Sequence, residues 1–247
     1  MNLLVLPGGG NPDTSPTYRK VYELIALEAQ KYGYAQVYSD IRWPGHVSLG
    51  ESYDKAPPLA LSEAVSVAIA AINNLPDEPF AILGRSVGCF VALKLADHEN
   101  EMVKYPVKNI LWGSDPYWQL WRDFVKDLEV NKAIAKEKGL KVDASSFASM
   151  EPIEVLLRKI TIPTLVTSGS LDTGCTPSFM TYLSSITEGK NMVRVNKIPV
   201  NGAKHEVTDE SGMQVVDHYS DALFKDLAVG PIKGRLFLLR QVPANSN

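Results

Sequence analysis

Short apolar runs alternate along the chain with segments whose apolar residues recur at helical spacing. The apolar runs predict six strands, at Asn2 to Pro7, Tyr34 to Asp40, Phe80 to Gly84, Val107 to Gly113, Ile162 to Gly169 and Asn191 to Val200. The intervening periodicity predicts helices at Pro16 to about Tyr32, Leu59 to Asn74, Val87 to about Ala96, Thr176 to Ile186 and Ser211 to Leu227. This alternation predicts a single α/β domain over residues 1–247, with a mostly parallel, twisted sheet covered by helices on both faces.

Two segments depart from this alternation of strands and helices. Residues 116–159 are helical in pattern and aromatic at the start, which predicts a lid insertion whose Trp118 and Trp121 line a substrate pocket. A helical insertion that buries its aromatic residues in a local core remains the alternative. The extension at 230–247 contains a strand-like run, GRLFLLRQV, which could pack on a sheet edge of this subunit or of a second one. A homodimer is therefore possible.

Composition and charge narrow the classes of function. Of the 247 residues, 45% are hydrophobic and 21% charged, and the net charge is −3. Nothing in this balance favours nucleic acid as a partner. No window approaches the ~18 apolar residues of a membrane span, and no signal peptide is predicted, so we expect a cytoplasmic protein. The two cysteines, Cys89 and Cys175, form neither a disulfide framework nor a metal-ligand motif.

The segment GRSVG, from Gly84 to Gly88, lies between a predicted strand and a predicted helix. The G-x-S-x-G pattern in this context predicts a sharp turn that strains Ser86 and lifts its hydroxyl clear of the sheet. Glycines on both sides let the strand and the helix pass closely. The amide of Val87 lies at the helix start, where an unpaired N–H can donate to a developing oxyanion.

A serine nucleophile needs a base, and the base needs an orienting acid. Asp172 follows the fifth predicted strand and His205 the sixth, which is the chain order expected after such a serine. Asp115, at the end of the fourth strand, is the rival acid. His46 lies in a loop on the same rim and could contact substrate, whereas His98 and His218 are predicted to be structural or surface residues.

With these residues in place, the chain resembles the α/β-hydrolase superfamily of serine hydrolases and esterases over about residues 2–227. The resemblance implies Ser86 as nucleophile, His205 as general base and then acid, and Asp172 as the residue that orients the imidazole. It also implies an oxyanion hole made by the Val87 amide and one amide of the loop LPGGGNPD, from Gly8, Gly9 or Gly10, with Gly9 preferred. The usual antiparallel strands before the first parallel strand are missing, and Pro7 replaces the histidine of HGGG esterases.

The resulting hypothesis is a hydrolase of the esterase or thioesterase type that cleaves an acyl bond in a small molecule, first of all a carboxylic ester. No metal and no organic cofactor are required. The glycine loop does not match a dinucleotide fingerprint, because Asp13 replaces its third glycine and Pro12 interrupts it. Two alternatives remain: a cofactor-free haloperoxidase-like or lyase reaction on the same scaffold, and a non-catalytic protein that binds a small molecule. Arg85 could contact an acidic substrate group or be held by structural partners.

Overall fold

Six parallel strands form one sheet in the computed structural model, which describes residues 1–9, 11, 16–47, 50–113, 141, 143, 151–172, 175–189, 192–195 and 223–224. Their order across the sheet is β2-β1-β3-β4-β5-β6. The strands are β1 (Asn2–Leu6), β2 (Val37–Tyr38), β3 (Phe80–Arg85), β4 (Lys108–Trp112), β5 (Thr164–Thr167) and β6 (Val193–Val195). Every neighbouring pair is parallel, which confirms the predicted α/β sheet.

Five α-helices have both of their ends in the described part of the chain. They are α1 (Pro16–Lys31), α2 (Leu61–Asn74), α3 (Val87–Lys94), α4 (Ile153–Lys159) and α5 (Pro177–Thr187), and a 3₁₀ segment, Leu95–Glu101, continues α3. The first four predicted helices are close to α1, α2, α3 and α5. The predicted helix from Ser211 to Leu227 lies outside the described residues, apart from the helical Leu223 and Phe224. Most predicted strands, by contrast, were too long. Tyr34 shows why: it is buried in the core but lies before β2, so it has the apolar character of a strand residue without pairing in the sheet.

Alternating side chains of the strands build two cores, one on each face of the sheet. Leu4 and Leu6 of β1 pack in the larger core, together with apolar residues of α2, α3, α4 and α5. Leu3 and Val5 of the same strand pack in the smaller core, which α1 covers. Because successive side chains of a strand point to opposite faces, a strand that is apolar throughout requires helices on both sides.

The end of the predicted lid segment belongs to the larger core. Ile153, Leu156 and Leu157 of α4 are buried there, so this helix contributes to the domain core. Within the predicted lid at 116–159, residues 116–140, 142 and 144–150 lie outside the described residues, as does the predicted extension at 230–247. The lid and the homodimer therefore stay predictions.

An ion-pair cluster fastens α4 to the end of α3 at the surface. Lys159 bonds both Asp97, at 3.2 Å, and Glu151, at 2.8 Å, and Lys94 bonds the same two carboxylates. Burial alone would raise the pKa of Asp97, but the hydrogen bonds from the two lysines outweigh it and lower that pKa below its usual value. Within the described residues, no helix is long and apolar enough to cross a membrane.

Candidate active site

The loops at the carboxyl ends of the parallel strands meet along one edge of the sheet. Leu6 at the end of β1 pairs with Gly84 of β3, and Arg85 of β3 pairs with Trp112 of β4. Ligand sites of open α/β sheets lie beyond this edge. The sheet register therefore sets the glycine loop after β1 beside the serine that follows β3.

Ser86 adopts the strained conformation that the sequence predicts. Its backbone has φ 50° and ψ −115°, and it is the one described residue other than glycine with a positive φ. Its N–H donates to the carbonyl of Trp112 at 3.1 Å, which holds the turn against β4. Such a conformation costs on the order of 1–3 kcal/mol and persists only where surrounding contacts enforce it.

Close backbone contacts explain the two glycines of the motif. A Cβ at Gly84 would lie 2.6 Å from the carbonyl oxygen of Gly88, and a Cβ at Gly88 would lie 2.1 Å from the carbonyl oxygen of Leu6. Both contacts are with backbone and cannot be relieved by a rotamer change. The prediction that glycine is required on both sides of the serine is confirmed.

Helix α3 begins at Val87, directly after the serine. The first N–H groups of a helix have no partner within the helix and carry its positive dipole end. The Val87 side chain is buried in the larger core, which anchors the start of the helix. The partly exposed Ser86 and the first amides of α3 therefore lie together at the carboxyl end of β3.

The glycine loop after β1 lies against the serine. A Cβ at Gly8 would be 3.3 Å from the Cβ of Ser86, so a side chain there would crowd the nucleophile. The Gly8 N–H donates to the hydroxyl of Tyr22 at 3.0 Å, and the carbonyl of Pro7 accepts from the indole N–H of Trp43 at 3.0 Å. Gly9, the next residue, is half-buried.

The sequence pattern predicted no role at the site for either Tyr22 or Trp43. Trp43 lies 36 residues from Pro7, and Tyr22 lies 14 residues from Gly8. In the sequence Tyr22 is one apolar position of a helix, and Trp43 belongs to a polar loop. No local signal marks a side chain whose partner is a backbone group so far along the chain.

Asp172 is a buried carboxylate in the loop after β5. It is 2% exposed, and its Oδ1 accepts a hydrogen bond from the backbone N–H of Cys175 at 2.7 Å. Its own N–H donates to the carbonyl of Gly169 at 3.2 Å, so the loop closes back on the strand end. A buried carboxylate is costly unless hydrogen bonds satisfy it, and this loop supplies one of them from its own backbone.

Three other residues that the sequence brought into question, Arg85, His46 and His98, have contacts typical of structural roles. The buried guanidinium of Arg85 stands 5.6 Å from the centroid of the Trp112 ring, a cation–π contact that favours the structural interpretation. His46 is buried, and its Nδ1 accepts from the backbone N–H of Trp43 at 3.3 Å. His98 lies at the surface, where its Nδ1 is 2.7 Å from a carboxylate oxygen of Glu101.

Several predicted site residues lie outside the described residues. These are His205, the rival acid Asp115, the rival amide donor Gly10, and the predicted pocket residues Trp118 and Trp121. Of the predicted site residues, the described structure contains Ser86, Val87, Gly9 and Asp172. It brings Ser86, Val87 and the glycine loop together, and it sets Asp172 in a loop at the same edge of the sheet.

Comparison with known proteins identifies the fold. No protein-family model matches the sequence, and no curated protein matches it. Among solved structures, the chain is similar to a thermophilic esterase from Thermogutta terrifontis, with a TM-score of 0.63 at 16% identity over 91% of this chain and 88% of that one. An esterase from Exiguobacterium antarcticum gives a TM-score of 0.60 at 16% identity over 90% and 91%. A monoacylglycerol lipase from Paleococcus ferrophilus gives 0.56 at 16% identity over 90% and 93%.

Proposed function

Because the chain has the α/β-hydrolase fold, as its likeness to these structures shows, we propose that it is a serine hydrolase that cleaves a carboxylic ester through an acyl-enzyme intermediate. The observation that carries the proposal is the backbone of Ser86, held at φ 50° between β3 and α3. A serine with no chemical task gains nothing from this conformation, which glycine would adopt without steric cost.

Two amides are proposed to form the oxyanion hole. The Val87 N–H is the first of α3 and follows the nucleophile directly. The second comes from the glycine loop, where the Gly8 N–H is already engaged by Tyr22. This leaves Gly9 and Gly10, and we assign Gly9, the donor preferred from the sequence. Donors of this kind stabilise charge that develops only in the transition state, and each typically contributes 10²–10³-fold to the rate.

His205 is proposed as the base, and Asp172 as the residue that orients it. The burial of Asp172 and its bond from the Cys175 amide support the acid assignment, because they hold the carboxylate in one orientation. The chain order of serine, aspartate and histidine, which follow the third, fifth and sixth predicted strands, supports His205. Asp115 remains the alternative acid.

In the proposed reaction, Ser86 Oγ attacks the carbonyl carbon while its proton passes to His205. The carbonyl π electrons move to the oxygen, which the Gly9 and Val87 amides hold. Collapse of this intermediate re-forms the C=O bond and breaks the bond to the alkoxy group, which leaves as an alcohol with the proton from His205. Water then repeats both steps on the seryl ester, which releases the acid and restores the serine.

The substrate is proposed to be a small acyl compound that enters beside the glycine loop. Trp118 and Trp121 are assigned to the pocket wall on the basis of the aromatic pattern in the predicted lid. A panel of p-nitrophenyl esters of increasing acyl length, with thioester and anilide analogues, measures the preference for acyl length and for the type of bond. Ester turnover with a single optimum of chain length is the expected result.

A fluorophosphonate probe tests the nucleophile directly. Intact-mass analysis is expected to show one adduct on the native chain, none on Ser86→Ala and a much slower one on His205→Ala. Ser66→Ala, which removes an exposed hydroxyl on α2, is the matched control and should label at the native rate. A folded native protein that forms no adduct would contradict the proposal and favour the small-molecule-binding alternative.

The acid is tested by a pair of isosteric changes. Asp172→Asn should lower kcat on the order of 10³–10⁴-fold, because the imidazole loses the partner that sets its tautomer. Asp115→Asn should leave kcat within about threefold of the native value. If Asp115→Asn instead lowered kcat more than Asp172→Asn, Asp115 would be the acid that orients the imidazole. The assignment of Ser86 as nucleophile would be unaffected.

A further inference from the structure

Buried aromatic side chains hold the peptide group between Pro7 and Gly8 at both of its polar ends. The carbonyl of Pro7 accepts from Trp43 Nε1 at 3.0 Å, and the N–H of Gly8 donates to the Tyr22 hydroxyl at 3.0 Å. The C=O and N–H of a trans peptide lie in one plane and point in opposite directions. Two bonds at opposite ends therefore oppose rotation of this plane about the chain axis.

The two aromatic residues approach from opposite faces of the sheet. Tyr22 of α1 is 3% exposed and belongs to the smaller core, whereas Trp43 is 1% exposed and belongs to the larger one. Trp43 is itself fixed by a tight turn, in which its carbonyl accepts from the His46 N–H at 2.9 Å. The orientation of the peptide thus depends on the packing of both cores.

Restraint from side chains outside the loop matters here because glycine itself restricts the backbone so little. Glycine adopts a wide range of backbone conformations, and the loop contains three glycines in succession. The peptide that follows, between Gly8 and Gly9, carries the amide assigned to the oxyanion hole. Its direction depends on the Pro7–Gly8 plane that precedes it and on the φ and ψ of Gly8, so a change in that plane is carried to this amide.

We propose that Tyr22 and Trp43 are positioning residues that preorganise the oxyanion hole by locking the Pro7–Gly8 peptide plane. The proposal rests on the serine hydrolase function proposed above. An oxyanion donor is effective when it is already aimed at the developing charge, since reorientation would otherwise cost free energy during the reaction. Misplacement by about 1 Å can lower a rate about 10²-fold.

Tyr22→Phe removes the acceptor of the Gly8 N–H and keeps the ring. It is expected to lower kcat on p-nitrophenyl acetate by roughly 10–100-fold, with KM within about twofold of the native value. Trp43→Phe removes the N–H that donates to the Pro7 carbonyl, and it should also lower kcat. Tyr34→Phe is the matched control: Tyr34 is 3% exposed in the same core as Tyr22, and its hydroxyl has no hydrogen-bond partner among the described residues. This control should keep native kcat.

A trifluoromethyl ketone inhibitor separates positioning from general stability. The serine oxygen adds to its carbonyl carbon and the C=O π electrons move to oxygen, so the adduct carries the same oxyanion as the transition state. Its Ki should rise in Tyr22→Phe by about the factor by which kcat/KM falls. Thermal unfolding of each variant, measured alongside, reports any loss of stability.

The outcomes are distinguishable. Serine-dependent turnover in the native chain, with the losses above in Tyr22→Phe and Trp43→Phe, supports the proposal. A native chain that neither turns over esters nor labels at Ser86 overturns the proposed function, and this proposal with it. Native activity together with a Tyr22→Phe variant that matches Tyr34→Phe in kcat and in Ki overturns the positioning role alone. A fall in kcat without a change in Ki also overturns it.

Discussion

Replacing Ser86 by glycine should stabilise the protein relative to replacing it by alanine, although both variants lose the nucleophile. Alanine keeps a Cβ at φ 50° and ψ −115°, a conformation that costs residues other than glycine on the order of 1–3 kcal/mol. Glycine removes this strain but makes the unfolded chain more flexible, which costs about 0.4–1 kcal/mol. The balance is about 1 kcal/mol in favour of glycine, or roughly 2–4 °C in Tm for a chain of this size.

Alanine is the proper reference because both substitutions remove the same hydroxyl and every hydrogen bond that it makes. Urea unfolding followed by circular dichroism, with Tm from calorimetry, measures the difference between the two variants. Equal m values would show that the unfolded states are comparable. If Ser86→Ala were as stable as Ser86→Gly or more so, the strain at the nucleophile would be absent. The observation that carries the proposed function would then fail.

The remaining predictions concern a glycine of the serine turn, a buried tyrosine and the surface ion-pair cluster. Gly88→Ala should lower Tm by several degrees and abolish ester turnover, because its Cβ would lie 2.1 Å from the carbonyl oxygen of Leu6; native-like Tm by calorimetry would contradict this. Burial raises the pKa of the Tyr34 phenol, so above pH 10 the unfolded state ionises while the folded state keeps its proton, and the native chain loses stability. In Tm measurements from pH 8 to 11, Tyr34→Phe should lose less stability than the native chain, and parallel curves would refute the assignment. The pKa of Asp97 is lowered in the folded state, so its stabilising effect is present above the usual aspartate pKa and is lost as the pH falls through the folded value. Asp97→Asn should therefore lower Tm by about 1–2 °C at pH 7, and this deficit should shrink as the pH falls below the usual aspartate pKa, whereas a deficit that does not change with pH would exclude the ion pairs as its cause.

The order of strands and helices could be predicted from the sequence because the periodicity of apolar residues reflects burial directly. Strands such as Phe80–Arg85, buried on both faces, read as continuous apolar runs, and α2 reads as one apolar stripe. The ends of strands were harder to predict. Burial extends into loops such as the one that contains Tyr34, whereas sheet pairing depends on a neighbouring strand that the local sequence does not reveal.

The strained serine and its two glycines were also predictable, since local steric rules alone require small residues at a sharp turn between a strand and a helix. Chain order also singles out Asp172 after β5 as the candidate acid, and that role stays a prediction. The tertiary structure decided which amide of the glycine loop is already engaged and which side chains hold that loop. Tyr22 and Trp43 reach Gly8 and Pro7 from helix α1 and from the loop after β2, on opposite faces of the sheet. Contacts between residues so far apart in the chain arise only when both cores have packed, because no short stretch of sequence contains both partners.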